Sequence, residues 1–402
     1  MSGPGTGAAG GDADRVFVGT VDDLHASASR TVGLEDFGDG EDRHREALGV
    51  LLDSLHSDAG LTPAGSKYWR SVLKSALTAR LLAEAGFRAD PAGAEVAIER
   101  PVVVTGLPRT GTTALHRLLG ADPANQGLEL WLTEVPQPRP PRDTWEDDPA
   151  YVGLRDLYAG FMSENPDYGG VHYISADDLE ECWQLLRQSL TSASYECLAR
   201  LDGYSDWLRG VDWVPAYRRH KRNLQLIGRN DPGRRWVLKN PSHLFALDAL
   251  LEVYPDAVVV QTHRDPRKSM GSMFSLAHRT AADWSTRFTP EYIGASQLDF
   301  WARGISEFES VRERHEADPA SRATFVDVTH GELVADPAAV VERVYAAAGT
   351  ELSGEVRAGV VAENERSLSG DRAPAHRYAL ADYGVTADEV AERFAGYRGL
   401  DA

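Results

Sequence analysis

Cysteine is nearly absent: Cys182 and Cys197 are the only two in 402 residues, and no CxxC spacing occurs. Two thiols cannot build a disulfide framework, and a structural zinc site has no basis in such a chain. The usage suits a reducing, cytoplasmic location, and no metal is expected. Long apolar runs are missing as well. No stretch of about 18 uncharged apolar residues occurs, which argues against a transmembrane helix and a membrane-bound state. Positive charge is scarce, with 42 Lys and Arg against 61 Asp and Glu, a formal net charge of −19. That field repels nucleic acid and anionic lipid, so neither is expected as a partner. An anionic ligand must therefore find its positive charge locally.

What is present is an ordinary globular composition, 42% hydrophobic and 26% charged. Residues 1–14, MSGPGTGAAGGDAD, lack the basic and apolar blocks of a signal peptide and read as a disordered arm. Residues 15–98 read as a helical region. There Gly60-Leu61-Thr62-Pro63 pairs a stop with an N-cap Thr and a first-turn Pro. Trp69, Val72, Leu73, Leu77, Leu81 and Leu82 then recur near a 3.6 period. From 99 to 402 short β-branched runs alternate with helical patterns. Pro101–Thr105, Trp236–Lys239, Ala257–Thr262 and Thr324–Val328 read as buried parallel strands. Residues 135–142 (VPQPRPPR) and the acidic 143–149 read as an exposed, extended connection. About 150–228 reads as a helical insertion with Leu179, Cys182, Trp183 and Leu186 on one face. The fold class expected is α/β: a P-loop-like three-layer α/β/α arrangement with a central parallel sheet, in a single domain over 15–402.

Gly106-Leu107-Pro108-Arg109-Thr110-Gly111-Thr112-Thr113 follows an apolar strand and opens a helix. A strand-to-helix turn aims backbone N–H groups and a helix N-terminus at one point, which suits a phosphate. Gly106 and Gly111 allow a tight turn and close approach. Arg109 supplies a planar cation, and Thr110, Thr112 and Thr113 supply hydroxyls. The spacing is that of Walker A, except that Thr112 stands where the lysine belongs. Without that lysine a phosphotransferase lacks the cation that follows the β- and γ-phosphates.

A second candidate lies beyond the third strand, in His263-Arg264-Asp265-Pro266-Arg267-Lys268-Ser269-Met270-Gly271-Ser272. Ligands of open α/β sheets gather past the carboxyl ends of strands. Alone, an Arg at a strand end is as often a structural ion-pair partner. Strand–PRTGTT–helix followed by strand–RDPRKSMGS, however, resembles the sulfotransferase superfamily that uses 3′-phosphoadenosine 5′-phosphosulfate (PAPS). The likeness covers about 100–275 and is nearest to the bacterial group and the protein-tyrosine sulfotransferases. It implies that Arg109 to Thr113, Gly111 included, hold the 5′-phosphosulfate. Arg264 and Ser272, eight positions apart, take the 3′-phosphate. His376 and Arg377, in Ala375-His376-Arg377-Tyr378, match a feature of the bacterial group and join the donor-binding set. Two departures stand out: Arg109 replaces a loop Lys of the cytosolic eukaryotic enzymes, and Ala114 replaces their adenine-stacking Trp.

Sulfuryl transfer needs a base for the acceptor hydroxyl and positive charge for the transferring group and the leaving phosphate. Lys239, at the end of the second strand, suits the charge role, and the tyrosine sulfotransferases carry a Lys in a similar context. His243 and Glu129 are the two candidate bases, with His243 placed first because histidine titrates near neutrality. Asp177, Asp178, Glu180 and Glu181 could line the acceptor pocket, but read rather as an acidic helix start that offsets the helix dipole. Arg218, Arg219, Lys221 and Arg222 read as a solvated helix face, and Trp131, Trp183 and Trp213 as core or pocket aromatics. The expected function is sulfotransfer to a hydroxyl of a small-molecule, glycolipid or natural-product acceptor, an amine being the lesser option. The rivals are a P-loop small-molecule kinase and a non-catalytic nucleotide-binding protein. The acceptor and the oligomeric state, a homodimer included, stay open.

Overall fold

A computed structural model describes residues 16–165, 173–367 and 378–400. Five parallel strands form its sheet: β1 (Val102–Gly106), β2 (Asn125–Gln126), β3 (Arg235–Lys239), β4 (Val258–His263) and β5 (Thr324–Thr329). Their order is β2-β3-β1-β4-β5. The four expected strands are there, to within a residue at either end. The two-residue β2 carries no apolar signal and forms because Asn125 and Gln126 pair with Arg235 and Trp236.

Side chains alternate across a strand, so a run of valines feeds two cores at once. Val102, Val104, Val237, Val258 and Val260 pack on one face with Leu115, Leu118 and Leu119 of helix α4 (Thr112–Gly120) and with Val340, Val341 and Val344. Val103, Trp236, Leu238 and Val259 join the larger core on the other face. Both faces are covered, as the unbroken apolar runs require. The N-terminal region supplies α1 (Val21–Val32), α2 (His44–Ser57) and α3 (Pro63–Ala89). Thr62 caps α3 by accepting from the Gly65 N–H at 3.0 Å, as its sequence context predicts.

Three expectations give way to tertiary contacts. The 135–142 segment is extended, yet Arg139 is buried. It donates to Glu129, Gln126, Asp231 and the Gly127 carbonyl at 2.6–3.0 Å. The following stretch coils into a short 3₁₀ turn, Arg142–Asp147, that buries Trp145. Within 173–182 there is no helix, and the one that follows, Trp183–Leu186, is a single turn, so backbone bonds to other segments rather than a helix place the acidic residues. The Glu180 N–H donates to the Leu128 carbonyl at 2.6 Å, and the Cys182 N–H to the Lys239 carbonyl at 2.9 Å. Of the apolar set proposed there, only Trp183 and Leu186 are helical, in Trp183–Leu186. Arg219, finally, is not solvated: it is 6% exposed and donates to Glu84 at 2.7 Å.

Candidate active site

The carboxyl ends of the strands bring the candidate residues to one edge of the sheet. Gly106 at the end of β1 pairs with Thr262 of β4, and Lys239 ends β3. At Gly106 the backbone has φ +135, and an added Cβ would lie 2.5 Å from the Thr262 carbonyl oxygen. Only glycine fits, because the turn is left-handed and pressed against the neighbouring strand. Arg109 itself adopts φ 69 and Gly111 φ 100, so the loop curls before α4 begins at Thr112. Such a curl at a helix N-terminus is a concavity suited to an anion.

Within the loop the hydroxyls divide their work. Thr110 is wholly buried, donating to the Leu107 carbonyl at 2.6 Å and bonding the Thr262 hydroxyl at 2.5 Å. Its hydroxyl clasps the loop to β4. Thr113, at the start of α4, instead accepts from the Lys239 ammonium at 3.2 Å.

Arg109 joins the two expected phosphate sites. Its Nε donates to Ser272 Oγ at 3.1 Å, and its carbonyl accepts from Arg264 Nη1 at 3.1 Å. Ser272 lies in the helix Pro266–Ala281, capped by Asp265, which accepts from the Arg267 N–H. Burial lowers the Arg109 pKa, Tyr378 opposes that, and the nearby Arg264 lowers it further. Two guanidinium groups drawn together in this way are an electrostatic cost that a bound polyanion removes. Arg264 forms no ion pair among the described residues. His330, just past β5, lies in the same positive field: burial, then Arg264 and Lys268, lower its pKa. Nothing in the sequence singled it out. The residues therefore fit a nucleotide carrying phosphates at both ends, and at Gly111 the φ of +100 disfavours any residue with a side chain.

Lys239 is 2% exposed, and its ammonium is paired with the carboxylate of Glu181. Glu181 is half a pair that sequence reasoning missed. The backbone bond from Cys182 to Lys239 sets it there, and no spacing rule anticipates a bond between segments so far apart. The two expected bases stand differently. Glu129 is engaged by Arg139 at 3.0 Å. His243 is 1% exposed, with Nδ1 2.6 Å from the Tyr217 hydroxyl and Nε2 without a partner. Burial, reinforced by His220, drives its pKa well below the usual value, so it is a neutral ring. Trp131 packs in the core against Trp145 and Tyr151, whereas the ring of Trp183 lies under Arg187 at 3.3 Å. His376 and Arg377 lie outside the described residues. Among the described residues no His, Cys, Asp and Glu group could hold a metal ion, and no helix is long and apolar enough to cross a membrane.

A family model described as the sulfotransferase family matches residues 101–354. The crystal structure of sulfotransferase STF1 from Mycobacterium tuberculosis H37Rv is similar, with a TM-score of 0.87 and 54% identity. The match covers 95% of this chain and 100% of that one. Sulfotransferase STF9 from Mycobacterium avium gives 0.82 at 28% identity, covering 94% and 95%. The omega-hydroxy-beta-dihydromenaquinone-9 sulfotransferase Stf3 of Mycobacterium bovis is 24% identical over 263 residues, 62% of this chain. The chain spans 63% of the length of that curated relative.

Proposed function

The chain belongs to the sulfotransferase family, and on that premise we propose that it transfers a sulfuryl group from PAPS to a hydroxyl of a small-molecule acceptor. The observation that carries this reading is the meeting of Arg109, Arg264 and Ser272 at the sheet edge where Lys239 ends β3. The loop from Arg109 to Thr113 binds the 5′ end of the donor, and Arg264 with Ser272 binds the 3′-phosphate. A kinase would need the cation that Thr112 replaces.

The donor supplies an electrophilic sulfur and a phosphate leaving group. Glu181 accepts the acceptor's hydroxyl proton, so the oxygen attacks as its O–S bond forms and the bond from sulfur to the bridging oxygen breaks. Lys239 offsets the negative charge that collects on that oxygen, and its bond to Thr113 keeps it beside the loop. In the resting enzyme the two groups neutralise each other. Glu181 takes precedence over His243, whose burial disfavours the protonated ring, and over Glu129, whose partner is Arg139 whereas the partner of Glu181 is Lys239 at the sheet edge. The acceptor of the relative Stf3 is a hydroxylated menaquinone by name, so lipophilic alcohols head the acceptor panel.

The test is a radiolabelled-donor assay against alcohols, phenols, amines and glycolipids, repeated with Glu181→Gln, Glu129→Gln and His243→Ala. Label transfer that depends on Glu181 and survives the other two changes is expected. Nucleotide binding without transfer to any acceptor would reject the enzymatic reading. Full activity in Glu181→Gln would reject the base assignment.

A further inference from the structure

Helix α4, which opens at the donor loop, touches both Lys239 and the segment that carries Glu181. Thr113, Arg117 and Gly120 lie at i, i+4 and i+7 and so share one face of it. At the first position the Thr113 hydroxyl accepts from Lys239 at 3.2 Å. At the second, Arg117 Nη2 donates to Asp178 Oδ2 at 3.1 Å. At the third, the bare backbone of Gly120 receives a methyl group of Leu179, whose other methyl lies on Gly127. Asp178 and Leu179 come shortly before Glu181 in the chain.

The backbone of that segment is held from another side. The Leu130 N–H donates to the Asp178 carbonyl at 3.1 Å, and the Trp131 N–H to the Ala176 carbonyl at 3.0 Å. With the Glu180 bond to Leu128, these fix the segment to residues 128–131. None of those bonds refers it to the donor loop. The Arg117–Asp178 pair does, because Arg117 stands one turn beyond Thr113 on the same helix. Its side chains are 16% and 20% exposed, and a partly buried pair is screened less than an exposed one. Register matters to the chemistry. A base must meet the acceptor hydroxyl while that oxygen lies in line with the breaking bond, and a misplacement of about 1 Å can cost about 10²-fold in rate.

We propose that Arg117 and Asp178 are a positioning pair that sets Glu181 in register with the donor loop, so that one helix face aligns the base with the bond that breaks. Thr113 holds Lys239 at one end of that face, and Arg117 holds the segment of Glu181 one turn on. Both members of the pair act through Glu181 rather than on a reactant. This role rests on the sulfotransfer reading and on Glu181 as the base.

The experiment measures single-turnover transfer from radiolabelled PAPS to n-decanol, or to whichever alcohol of the panel the parent chain sulfates faster. Arg117→Ala and Asp178→Ala are each expected to lower the rate at saturating substrate by about 10- to 100-fold. Calorimetric affinity for 3′-phosphoadenosine 5′-phosphate stays within about twofold of the parent's, which also shows that the variants fold. Arg117→Lys, which keeps the charge without the planar fork, recovers part of the loss. In a Glu181→Gln background Arg117→Ala has little further effect on the residual rate, since the group it positions is gone. The pair has no such role if Arg117→Ala turns over like the parent, or if it weakens the nucleotide as much as it slows transfer. The same holds if Arg117→Lys is no better than Arg117→Ala, or if Arg117→Ala slows the Glu181→Gln chain by the factor seen in the parent. Full activity in Glu181→Gln instead rejects the base assignment, and a parent chain that sulfates no alcohol rejects the sulfotransfer reading; the positioning role falls with either.

Discussion

The buried ammonium of Lys239 is paired with the carboxylate of Glu181, which lies 58 residues earlier in the chain. Neither element alone explains the contact. A backbone bond from Cys182 to the Lys239 carbonyl runs the 178–182 segment past the end of β3 and sets the two side chains face to face. A buried charge pair of this kind is weak as a source of stability and well suited to chemistry, because each partner is poised to exchange the other for a ligand.

Lys239→Ala is expected to lower kcat by about 10²–10³, the usual cost of removing one group that stabilises developing charge. Affinity for 3′-phosphoadenosine 5′-phosphate should change little, since that nucleotide lacks the sulfuryl group. Single-turnover kinetics beside equilibrium binding separate the two effects. Unchanged turnover would remove Lys239 from the mechanism.

Arg264→Ala and Ser272→Ala are expected to weaken the 3′-phosphorylated nucleotide selectively. Charge-assisted hydrogen bonds contribute about 1.5–3 kcal/mol, so Arg264→Ala loses about 10- to 100-fold. Ser272→Ala loses less and also frees Arg109 Nε from its partner. Adenosine 5′-phosphosulfate, which has no 3′-phosphate, serves as the control ligand. Equal losses for both nucleotides would show that Arg264 does not read the 3′ end.

Gly106→Ala is expected to destabilise the fold itself. Its Cβ would fall 2.5 Å from the Thr262 carbonyl oxygen and 2.7 Å from its hydroxyl, with φ at +135. Overpacking plus a disfavoured backbone places the cost on the order of 2–4 kcal/mol. Urea denaturation measures it, and a midpoint equal to the parent's would contradict the clash.

Stability should fall as the medium becomes mildly acidic. His25, His44, His116, His220 and His243 are all buried, and burial is the first cause that lowers each pKa. A folded pKa below the unfolded one contributes stability that is complete above about 6.5 and is lost as pH falls toward the folded value. That value is about 4 for His25 and about 3 for His116 and His220. Glu196, raised to about 6, acts in the opposite sense, but it is a single group. Denaturation midpoints should therefore be level from about pH 8 to 7 and decline below about 6.5. A midpoint that holds down to about pH 5 would show that these rings are solvated.

The loop and its partner helix are legible in the sequence. Gly106, Gly111 and the apolar run ahead of them specify a strand-to-helix turn through local backbone chemistry. Arg264 and Ser272 sit eight positions apart across a helix start, so Asp265 and Pro266 largely determine their relation. The reading of 177–181 as a helix start misled, because acidic residues near apolar ones fit that pattern whether or not the backbone bonds elsewhere. Glu180 and Cys182 give their N–H groups to Leu128 and Lys239 instead. Intrinsic titration near neutrality favours His243 as a base, and burial beside Tyr217 overrides it.

By itself the sequence determined the parallel sheet, the glycine-bearing strand-to-helix turn and the two basic positions at its edge. Each depends on residues close in the chain, where spacing and side-chain type dictate geometry. Only the tertiary structure decided which carboxylate meets Lys239, that Arg109 bridges to Ser272 and Arg264, and that His243 is buried against Tyr217. Those relations join segments distant in the chain, and burial and backbone pairing, rather than local propensity, bring them together.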